Sequence, residues 1–311
     1  MRQIGLIISI LGLMVSLNAC TSAKFPLGAT RVTPKIQSVP VFKTSDGTEL
    51  VMQVWQPSHK PSARILLLHG FNEYTGAYDS VGASFAKRGI EVWAYDQRGF
   101  GRSPYRGLWS SAERMAQDAQ EALQLIKQQD PQTPLYLLGM SMGGAVALYS
   151  AKQTGLPIKG VILVAPAVWA AHTQPFYQRW ALAFTRRVVP GWKPTGEGLN
   201  IKPTDNKALL KKIWQNPWML RESRVDTLAG LTDLMGKAYQ AAPQVKYSTL
   251  LLYGEHDQLI PAKPIAHIRQ QLPQLPHTAY KQYAHGWHML MRDLQGETVI
   301  SDISRWIQSS P

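Results

Sequence analysis

The sequence contains one cysteine, Cys20, among 311 residues, and it has 20 Asp plus Glu against 33 Lys plus Arg. A single cysteine excludes an internal disulfide and any metal site built from four thiolates. The apolar run near the start, residues 4–17, is shorter than the roughly 20 residues of a membrane-spanning helix. Apolar residues make up 45% and charged residues 17%, so a core can form and global disorder is excluded. The net charge of +13 favours an anionic surface, whether membrane, nucleic acid or envelope polymer.

Short apolar runs alternate with longer amphipathic ones after residue 40. The short runs are rich in Val, Ile, Leu and aromatic residues and are bounded by Gly, Pro or Asp, which is typical of buried strands. They lie at 50–55, 64–68, 91–95, 135–138, 161–164 and 249–253, and helical spacing is found at 78–88, 112–129, 142–153 and 293–308. The alternation predicts the α/β class, with a mostly parallel central sheet flanked by helices.

The alternation is interrupted between residues 169 and 242. Five of the ten tryptophans lie in this stretch, interleaved with arginine and lysine side chains. We predict a helical cap over residues 169–242, inserted into an α/β core formed by residues 41–168 and 243–311. Because aromatic side chains suit an apolar pocket, we expect at least one cap helix to line a substrate pocket.

Residues 139–143 read Gly-Met-Ser-Met-Gly, a Gly-x-Ser-x-Gly pattern between a predicted strand and a predicted helix. Such a corner needs small residues, because the backbone turns close to its neighbours and the nucleophile adopts a strained conformation. Gly139, Gly143 and Gly144 supply them. We therefore predict that Ser141 is a nucleophile at the carboxyl end of the sheet, next to a helix N-terminus.

A serine hydroxyl needs a base and an orienting carboxylate to act as a nucleophile. After a corner of this kind they follow in the order acid, then histidine, each beyond a later strand. Asp257 follows the strand at 249–253 and is the preferred acid, with Glu255 as the alternative. His288 in the last loop is the preferred base, with His285 as the alternative.

The oxyanion that forms during acyl transfer needs hydrogen-bond donors already pointing at it. The predicted donors are the backbone N–H of Met142, directly after the nucleophile, and that of Phe71, after the strand at 64–68. His69 is expected to brace the loop that carries Phe71. No metal and no cofactor are predicted for this chemistry.

Asp96 lies in the segment Tyr-Asp-Gln-Arg-Gly and is a further candidate carboxylate. We expect it to stabilise its loop by pairing with Arg98 or Arg102 rather than to take part in catalysis.

The first residues have the pattern of a secretory signal: a basic start, the apolar run 4–17 and a small residue before the cleavage point. The ending Leu-Asn-Ala-Cys resembles the lipobox of bacterial lipoproteins. This resemblance implies a signal peptide over residues 1–19, cleavage before Cys20 and lipidation of its thiol. Two or more acyl chains on Cys20 would hold the protein stably at a membrane.

Residues 20–40 contain four Pro and Gly residues and are predicted to be a tether. Thr21 stands where an inner-membrane retention signal would have aspartate. The expected location is therefore the bacterial envelope, with the protein on the outer membrane facing the periplasm.

Five segments resemble the monoglyceride lipase and lysophospholipase branch of the α/β-hydrolases: HGFNEYTGAY (69–78), YDQRGFGRS (95–103), GMSMGGAVAL (139–148), LLLYGEHDQLIP (250–261) and GWHMLMRD (286–293). The resemblance runs from about residue 41 to 308. It implies a capped serine hydrolase that acts on single-chain acylglycerols or related esters. Carried over by position, the nucleophile, acid, base and oxyanion donors fall on Ser141, Asp257, His288, Phe71 and Met142.

Three other hypotheses stay open at this point. The same triad can serve an acyltransferase or a proline-directed aminopeptidase, and a chain of this kind can also be a non-catalytic envelope lipoprotein. Nucleic-acid binding has only the charge in its favour, because no recognisable module accompanies it. The expected partners are therefore a lipid ester substrate and, through the lipid anchor, a membrane.

Overall fold

Nine strands form one sheet within residues 22–28, 31–37, 40–194 and 200–309, the parts of the chain that this computed structural model describes. Their order across the sheet is β1-β2-β3-β5-β4-β6-β7-β8-β9. The strands are β1 (Lys35–Ile36), β2 (Val41–Lys43), β3 (Glu49–Trp55), β4 (Ala63–Leu68), β5 (Ile90–Tyr95), β6 (Leu135–Met140), β7 (Gly160–Val164), β8 (Ser248–Gly254) and β9 (Ala279–Tyr283). From β5 to β9 all neighbours are parallel, whereas β1, β2 and β3 are added antiparallel at one edge.

Eight α-helices lie in the same described ranges. They are α1 (Asp79–Lys87), α2 (Ala112–Gln129), α3 (Met142–Ser150), α4 (Phe176–Val188), α5 (Lys207–Gln215), α6 (Val225–Ala241), α7 (Ala262–Gln271) and α8 (Gly296–Gln308). Residues of α2, α3, α6 and α7 bury one face of the sheet, and residues of α1 and α8 bury the other. The predicted α/β class, with a mostly parallel sheet and helices on both faces, is confirmed.

The centre of the sheet is buried on both faces. Every residue of β4, β6 and β7 is buried, which explains why these segments are continuous apolar runs rather than alternating ones. All six predicted strands and all four predicted helices lie where the structure has such an element, with differences at the ends. Four short or polar elements, β1, β2, β9 and α7, had no counterpart in the prediction.

The inserted segment contains helices of two kinds. No residue of α4 is buried, whereas nine residues of α6 are buried, and α6 contacts α3 and α2 as well as α4. Small side chains on α6 allow this packing. At Gly230, even a Cβ atom would come within 2.2 Å of the Trp109 ring. Because α6 is part of the core, the predicted cap boundary at residue 242 is too late, and the segment that stands over the core ends before α6.

The segment predicted to be a tether, residues 20–40, instead contacts the folded core in its described parts. The Ser22 hydroxyl and the Ala23 N–H both donate to Asp226 Oδ2, at 3.3 and 3.2 Å. Phe25 is buried and its N–H donates to the Trp109 carbonyl at 2.9 Å. Further along, β1 joins the sheet. The contacts of residues 22–25 are made with residues distant in sequence, so the local Pro and Gly content could not indicate them.

The signal-peptide range 1–19 and the predicted lipidation site Cys20 lie outside the described residues. Within the described ranges, none of the helices combines the length and apolar character needed to cross a bilayer.

Candidate active site

The corner between β6 and α3 carries Ser141 in a strained backbone conformation. Its φ is 53° and its ψ is −117°, a region that costs a non-glycine residue on the order of 1–3 kcal/mol. The strand β7 holds the corner in place, because the Ser141 N–H donates to the Val164 carbonyl at 3.0 Å. The glycines around it are required by close contacts: a Cβ on Gly143 would lie 2.1 Å from the Leu68 carbonyl oxygen, and one on Gly139 would lie 2.2 Å from that of Gly143.

Ser141, His288 and Asp257 form a continuous hydrogen-bonded chain. His288 Nε2 lies 2.9 Å from Ser141 Oγ, and His288 Nδ1 lies 2.8 Å from Asp257 Oδ2. The other carboxylate oxygen of Asp257 accepts the N–H groups of Leu259 and Ile260 at 2.8 and 2.9 Å, which fixes the carboxylate plane. Since the Asp257 side chain has no exposed surface and is an acceptor, the proton belongs on His288 Nδ1. Nε2 is then free to accept the Ser141 proton.

The turn after β4 lies against the nucleophile. A Cβ placed on Gly70 would be 3.5 Å from Ser141 Cβ, so Phe71 follows at the edge of the site. The backbone N–H groups of Phe71 and Met142 have no acceptor among the described residues. An unpaired N–H at a helix start and another on the adjoining turn are the usual components of an oxyanion hole.

His69 braces this turn through both ring nitrogens. Nδ1 lies 2.8 Å from the Gly70 carbonyl, and the Gln97 N–H donates to Nε2 at 2.9 Å. This pairing defines a neutral ring with its proton on Nδ1. Burial, which disfavours the charged imidazolium, lowers the pKa of His69 below its ordinary 6.5 even though Asp96 is nearby. His69 therefore fits the structural role expected from the sequence.

A buried ion pair that the sequence analysis missed connects the two halves of the site. Glu73 Oε2 accepts the Gly70 N–H at 2.9 Å and the Tyr78 hydroxyl at 2.5 Å, and Glu73 Oε1 pairs with Arg292, four residues beyond His288. Burial alone would raise the pKa of Glu73, but the Arg292 charge and the hydrogen bonds from Tyr78 and Arg292 together outweigh it and hold the pKa below 4.5. Both residues lie inside the segments that carry the family resemblance, yet they are 219 positions apart, so nothing local indicates their pairing.

The alternative acid and base take no part in the hydrogen-bonded chain that reaches Ser141. Glu255 is exposed and accepts a hydrogen bond from Gln282 at 2.9 Å, and His285 is exposed. Asp96 is not part of the triad. It pairs with Arg102 at 2.8 Å and accepts the Thr75 N–H, as expected for a carboxylate that stabilises its loop.

The other arginine considered for Asp96 has different partners. Arg98 pairs with Asp46 at 2.8 Å and with Asp118 at 2.5 Å. No group of three His, Cys, Asp or Glu side chains that could hold a metal ion is found in the part of the chain that the structure describes.

An apolar cavity of about 610 Å³ adjoins the triad. Phe71 lines it directly, as do Leu259, two residues after Asp257, and Met289, the residue after His288. The rest of the wall comes largely from the inserted segment: Pro194, Asn200, Ile201, Pro203, Leu210, Trp214, Met219, Leu220, Arg221, Ser223 and Leu228. Helix α5 supplies two of these residues, which agrees with the expectation that a cap helix lines a pocket.

Asn72, the residue after Phe71, connects the turn at residues 69–72 to the inserted segment. We call this turn the oxyanion turn, after the predicted role of the Phe71 N–H. Its φ is 63°, its carbonyl accepts the Leu220 N–H at 3.0 Å, and its Nδ2 donates to Ser223 Oγ at 2.8 Å. The position of one predicted oxyanion donor therefore depends on contacts with residues 220–223.

The parallel sheet, the strained serine between β6 and α3 and the later acid and histidine define the α/β-hydrolase fold. A family model described as "Serine aminopeptidase, S33" matches residues 59–295, which is more than half of the chain. The chain belongs to that family.

Several known proteins are similar over most of their length. Monoglyceride lipase from Rattus norvegicus is 25% identical over 282 residues, covering 87% of this chain and 90% of that protein. Monoacylglycerol lipase from Mycolicibacterium smegmatis is 25% identical over 284 residues, covering 86% and 96%. The crystal structure of a soluble variant of monoglyceride lipase from Saccharomyces cerevisiae, in complex with a substrate analog, superposes with a TM-score of 0.75 at 20% identity, covering 93% and 99%. The expected relationship to the monoglyceride lipase branch is confirmed, and the chain is a hydrolase of the lipase and esterase type.

Proposed function

We propose that this hydrolase cleaves carboxylic esters of single-chain lipids, of the monoacylglycerol or lysophospholipid type, through an acyl-enzyme on Ser141. The observation that carries the proposal is the hydrogen-bonded chain from Ser141 through His288 to Asp257, which lies beside an apolar cavity. Each group is placed for one part of acyl transfer.

In the first half of the reaction, Ser141 Oγ attacks the ester carbonyl carbon while its proton passes to His288 Nε2. Asp257 stabilises the imidazolium that forms, across the 2.8 Å contact to Nδ1. The carbonyl oxygen becomes an oxyanion and accepts the N–H groups of Phe71 and Met142. His288 then donates the proton to the leaving alcohol oxygen, the ester C–O bond breaks, and the acyl group remains on Ser141.

In the second half, a water molecule replaces the alcohol. His288 Nε2 removes a proton from the water, its oxygen attacks the acyl carbon, and the same two N–H groups accept the oxyanion. Collapse of this intermediate returns the proton to Ser141 Oγ and releases a carboxylic acid.

The wall of the cavity supports a lipid substrate. Its lining is mainly aliphatic and aromatic, and its volume of about 610 Å³ is within the usual range of small-molecule sites. The relatives named above are lipases of monoacylglycerols, which supports the same substrate class.

Aminopeptidase activity is the second candidate, because the family description names it. An aminopeptidase must hold the charged amino end of its substrate, which usually requires a carboxylate in the pocket. Among the described residues that line the cavity none is acidic, and Arg221 is basic. The cavity therefore favours an ester with an uncharged chain. An acyltransferase would use the same acyl-enzyme with an alcohol in place of water.

A fluorophosphonate probe and a substrate panel test the proposal. We expect the probe to label the chain and the Ser58→Ala control, in which an exposed serine is removed, but not Ser141→Ala. In the panel of monoacylglycerols, lysophospholipids and aminoacyl anilides, Ser141→Ala should lower ester turnover by about 10⁴-fold or more. Turnover confined to the anilides would establish the peptidase, and acyl transfer to glycerol exceeding hydrolysis would establish the transferase. Ester turnover that survives in Ser141→Ala would contradict the acyl-enzyme.

We also propose that the protein is attached to the bacterial envelope by acyl chains on Cys20, on the outer membrane facing the periplasm. The lipobox-like ending Leu-Asn-Ala-Cys supports this. Mass spectrometry of the purified full-length product should show cleavage before Cys20 and an acylated N-terminal peptide. A protein recovered entirely in the soluble fraction without detergent would refute the attachment.

A further inference from the structure

The segment between β7 and α6 is the most strongly basic part of the chain. Residues 169–224 contain ten Lys or Arg and three Asp or Glu, a net charge of +7 out of the +13 of the whole chain. They are less than a fifth of its length. Because the same residues supply most of the cavity wall, positive charge is concentrated beside the candidate active site. Charge of one sign around a cleft attracts ligands of the opposite sign.

Most of these cations are not neutralised by carboxylates of the protein. Three of the ten form ion pairs with described residues, and the other seven have no carboxylate of the described chain within ion-pair distance. The three pairs are Arg186 with Asp233 at 3.4 Å, Lys193 with Glu222 at 3.5 Å and Arg224 with Asp226 at 2.7 Å. The positive charge of the segment therefore remains available to a ligand.

Arg221, one of the seven, lies in the wall of the cavity beside the triad. Among the described residues that line this cavity it is the only charged one. Its Nη2 donates to the Trp214 carbonyl at 2.8 Å, and Trp214 lines the same cavity. This bond holds the guanidinium at the wall and uses one of its five N–H groups. The planar fork of a guanidinium matches two oxygens of a phosphate group.

The cavity has a buried part at the triad and an exposed part at Arg221. Met289, next to the catalytic histidine, is buried, whereas Trp214 and Arg221 are exposed. An ester whose carbonyl lies at Ser141 can therefore extend one arm past apolar side chains towards a cation. A charged group on that arm is costly among the apolar side chains and is stabilised where Arg221 lies. Because no described lining residue is acidic, an anionic group meets no opposing charge in the wall.

We propose that Arg221 binds a phosphate group on the alcohol part of the substrate, and that the preferred substrate is a single-chain lipid ester with an anionic phosphate head group. This inference rests on the proposed ester hydrolysis and chooses between the two substrate types named there. The other cations of residues 169–224 add attraction at longer range, whereas Arg221 supplies the direct contact. A neutral monoacylglycerol gains from neither and is the poorer substrate.

The first experiment compares two substrates that differ only in the phosphate, 1-octanoylglycerol and 1-octanoylglycerol 3-phosphate. Both are kept below the concentration at which they aggregate, so no lipid surface takes part. We expect the parent to have the higher kcat/KM for the phosphate ester. Arg221→Gln should lower that value about tenfold, mainly through KM, and leave the neutral ester within about twofold. Arg221→Lys keeps the charge but not the fork and should lose less.

Arg187→Gln is the matched control. Arg187 is also exposed, lies in the same segment and has no acidic partner among the described residues, but it does not line the cavity. Its loss removes the same charge and should leave most of the preference for the phosphate ester. The ratio of the two kcat/KM values is measured on one preparation, so any unfolded fraction cancels. An equal fall of this ratio in Arg187→Gln and Arg221→Gln, or a parent that prefers the neutral ester, overturns the proposal.

The second experiment measures binding without hydrolysis, by calorimetry of Ser141→Ala with 1-octanoylglycerol 3-phosphate. Adding Arg221→Gln should raise Kd about tenfold, and adding Arg187→Gln should change it by no more than about twofold. The parent Kd should also rise with salt, because an exposed ionic contact is screened. An unchanged Kd in the Arg221→Gln variant refutes the phosphate site while ester hydrolysis stands. If the parent cleaves neither ester, the proposed function fails, and Kd alone then decides whether Arg221 binds phosphate.

Discussion

Helices α4 and α6 belong to the same inserted segment but have opposite surroundings. Helix α4 contains two phenylalanines, a tyrosine and a tryptophan, yet none of its residues is buried. Helix α6 has smaller side chains, including Ala229, Gly230 and Ala238, and nine of its residues are buried. Hydrophobicity alone therefore does not decide which helix joins the core. Small residues let α6 approach Trp109 and α3 closely, whereas the bulky side chains of α4 stay largely exposed.

The largest expected difference between the two helices is in stability. Leu234 of α6 has no exposed surface, so Leu234→Ala should lower the free energy of unfolding by about 3 kcal/mol through lost burial and a cavity. Phe184→Ala on α4 removes a larger side chain but should change it by no more than about 0.5 kcal/mol. Urea unfolding followed by circular dichroism measures both. A similar loss of unfolding free energy in the two variants would show that α4 is packed against the core. This result would contradict the difference drawn here between α4 and α6.

Sequence patterns predicted the centre of the fold well because its determinants are local. The strands β4, β6 and β7 are buried throughout, and the amphipathic helix α2 was predicted with the bounds that it has, Ala112–Gln129. The edge strand β9 was not predicted, since its sequence Ala-Tyr-Lys-Gln-Tyr is polar and partly exposed. Its strand conformation depends on pairing with β8 and not on its own composition.

The predictions were wrong for segments whose structure is determined by contacts with residues distant in sequence. Residues 22–25 were predicted to belong to a tether, but Asp226 and Trp109, 84 or more positions away, fix them to the core. The cap boundary was placed after α6 because the helical pattern does not show which neighbour a helix packs on. Within the site, chain order placed Ser141, Asp257 and His288 on neighbouring loops, and the structure brings them within hydrogen-bond distance. Their catalytic roles stay predictions until they are tested.

The connection between the inserted segment and the core can be tested at Asn72. Asn72→Gly keeps the positive φ of 63° and removes the 2.8 Å bond to Ser223. Since this bond holds the turn that carries the Phe71 N–H, we expect kcat for a soluble ester to fall about tenfold, with KM within about twofold. Stability should change little, because the substitution also removes the Asn72 Oδ1, a buried acceptor with no partner in the described chain.

Ser223→Ala removes the same bond from the other side and should reproduce the loss in kcat. The double variant should be no worse than either single variant, since both delete one interaction. If Asn72→Gly lowers the unfolding free energy but leaves kcat unchanged, the contact is structural, and the inserted segment does not position the oxyanion turn.

The smallest expected effect is a difference between α4 and the core in how each contributes to the pH dependence of stability. No residue of α4 is buried, so burial gives α4 no contribution to the pH dependence of stability. The core contributes through His69, whose pKa in the folded state is lowered below 6.5 by burial. Between the folded and the unfolded pKa the unfolded chain binds more protons, so stability falls as the pH drops below 6.5.

The contribution of His69 to the pH dependence of stability is absent in His69→Gln. We expect the parent to lose on the order of 1 kcal/mol of unfolding free energy between neutral pH and about pH 5.5 through this group, and His69→Gln to lose correspondingly less. The decisive measurement is the slope of unfolding free energy against pH, because His69→Gln also lowers stability at every pH by disturbing the contacts to Gly70 and Gln97. Arg187→Gln on α4 should leave the slope of the parent unchanged. Parallel slopes for the parent and His69→Gln would show that His69 is not the buried neutral imidazole that its two ring contacts define, and the bracing of the oxyanion turn would then need another explanation.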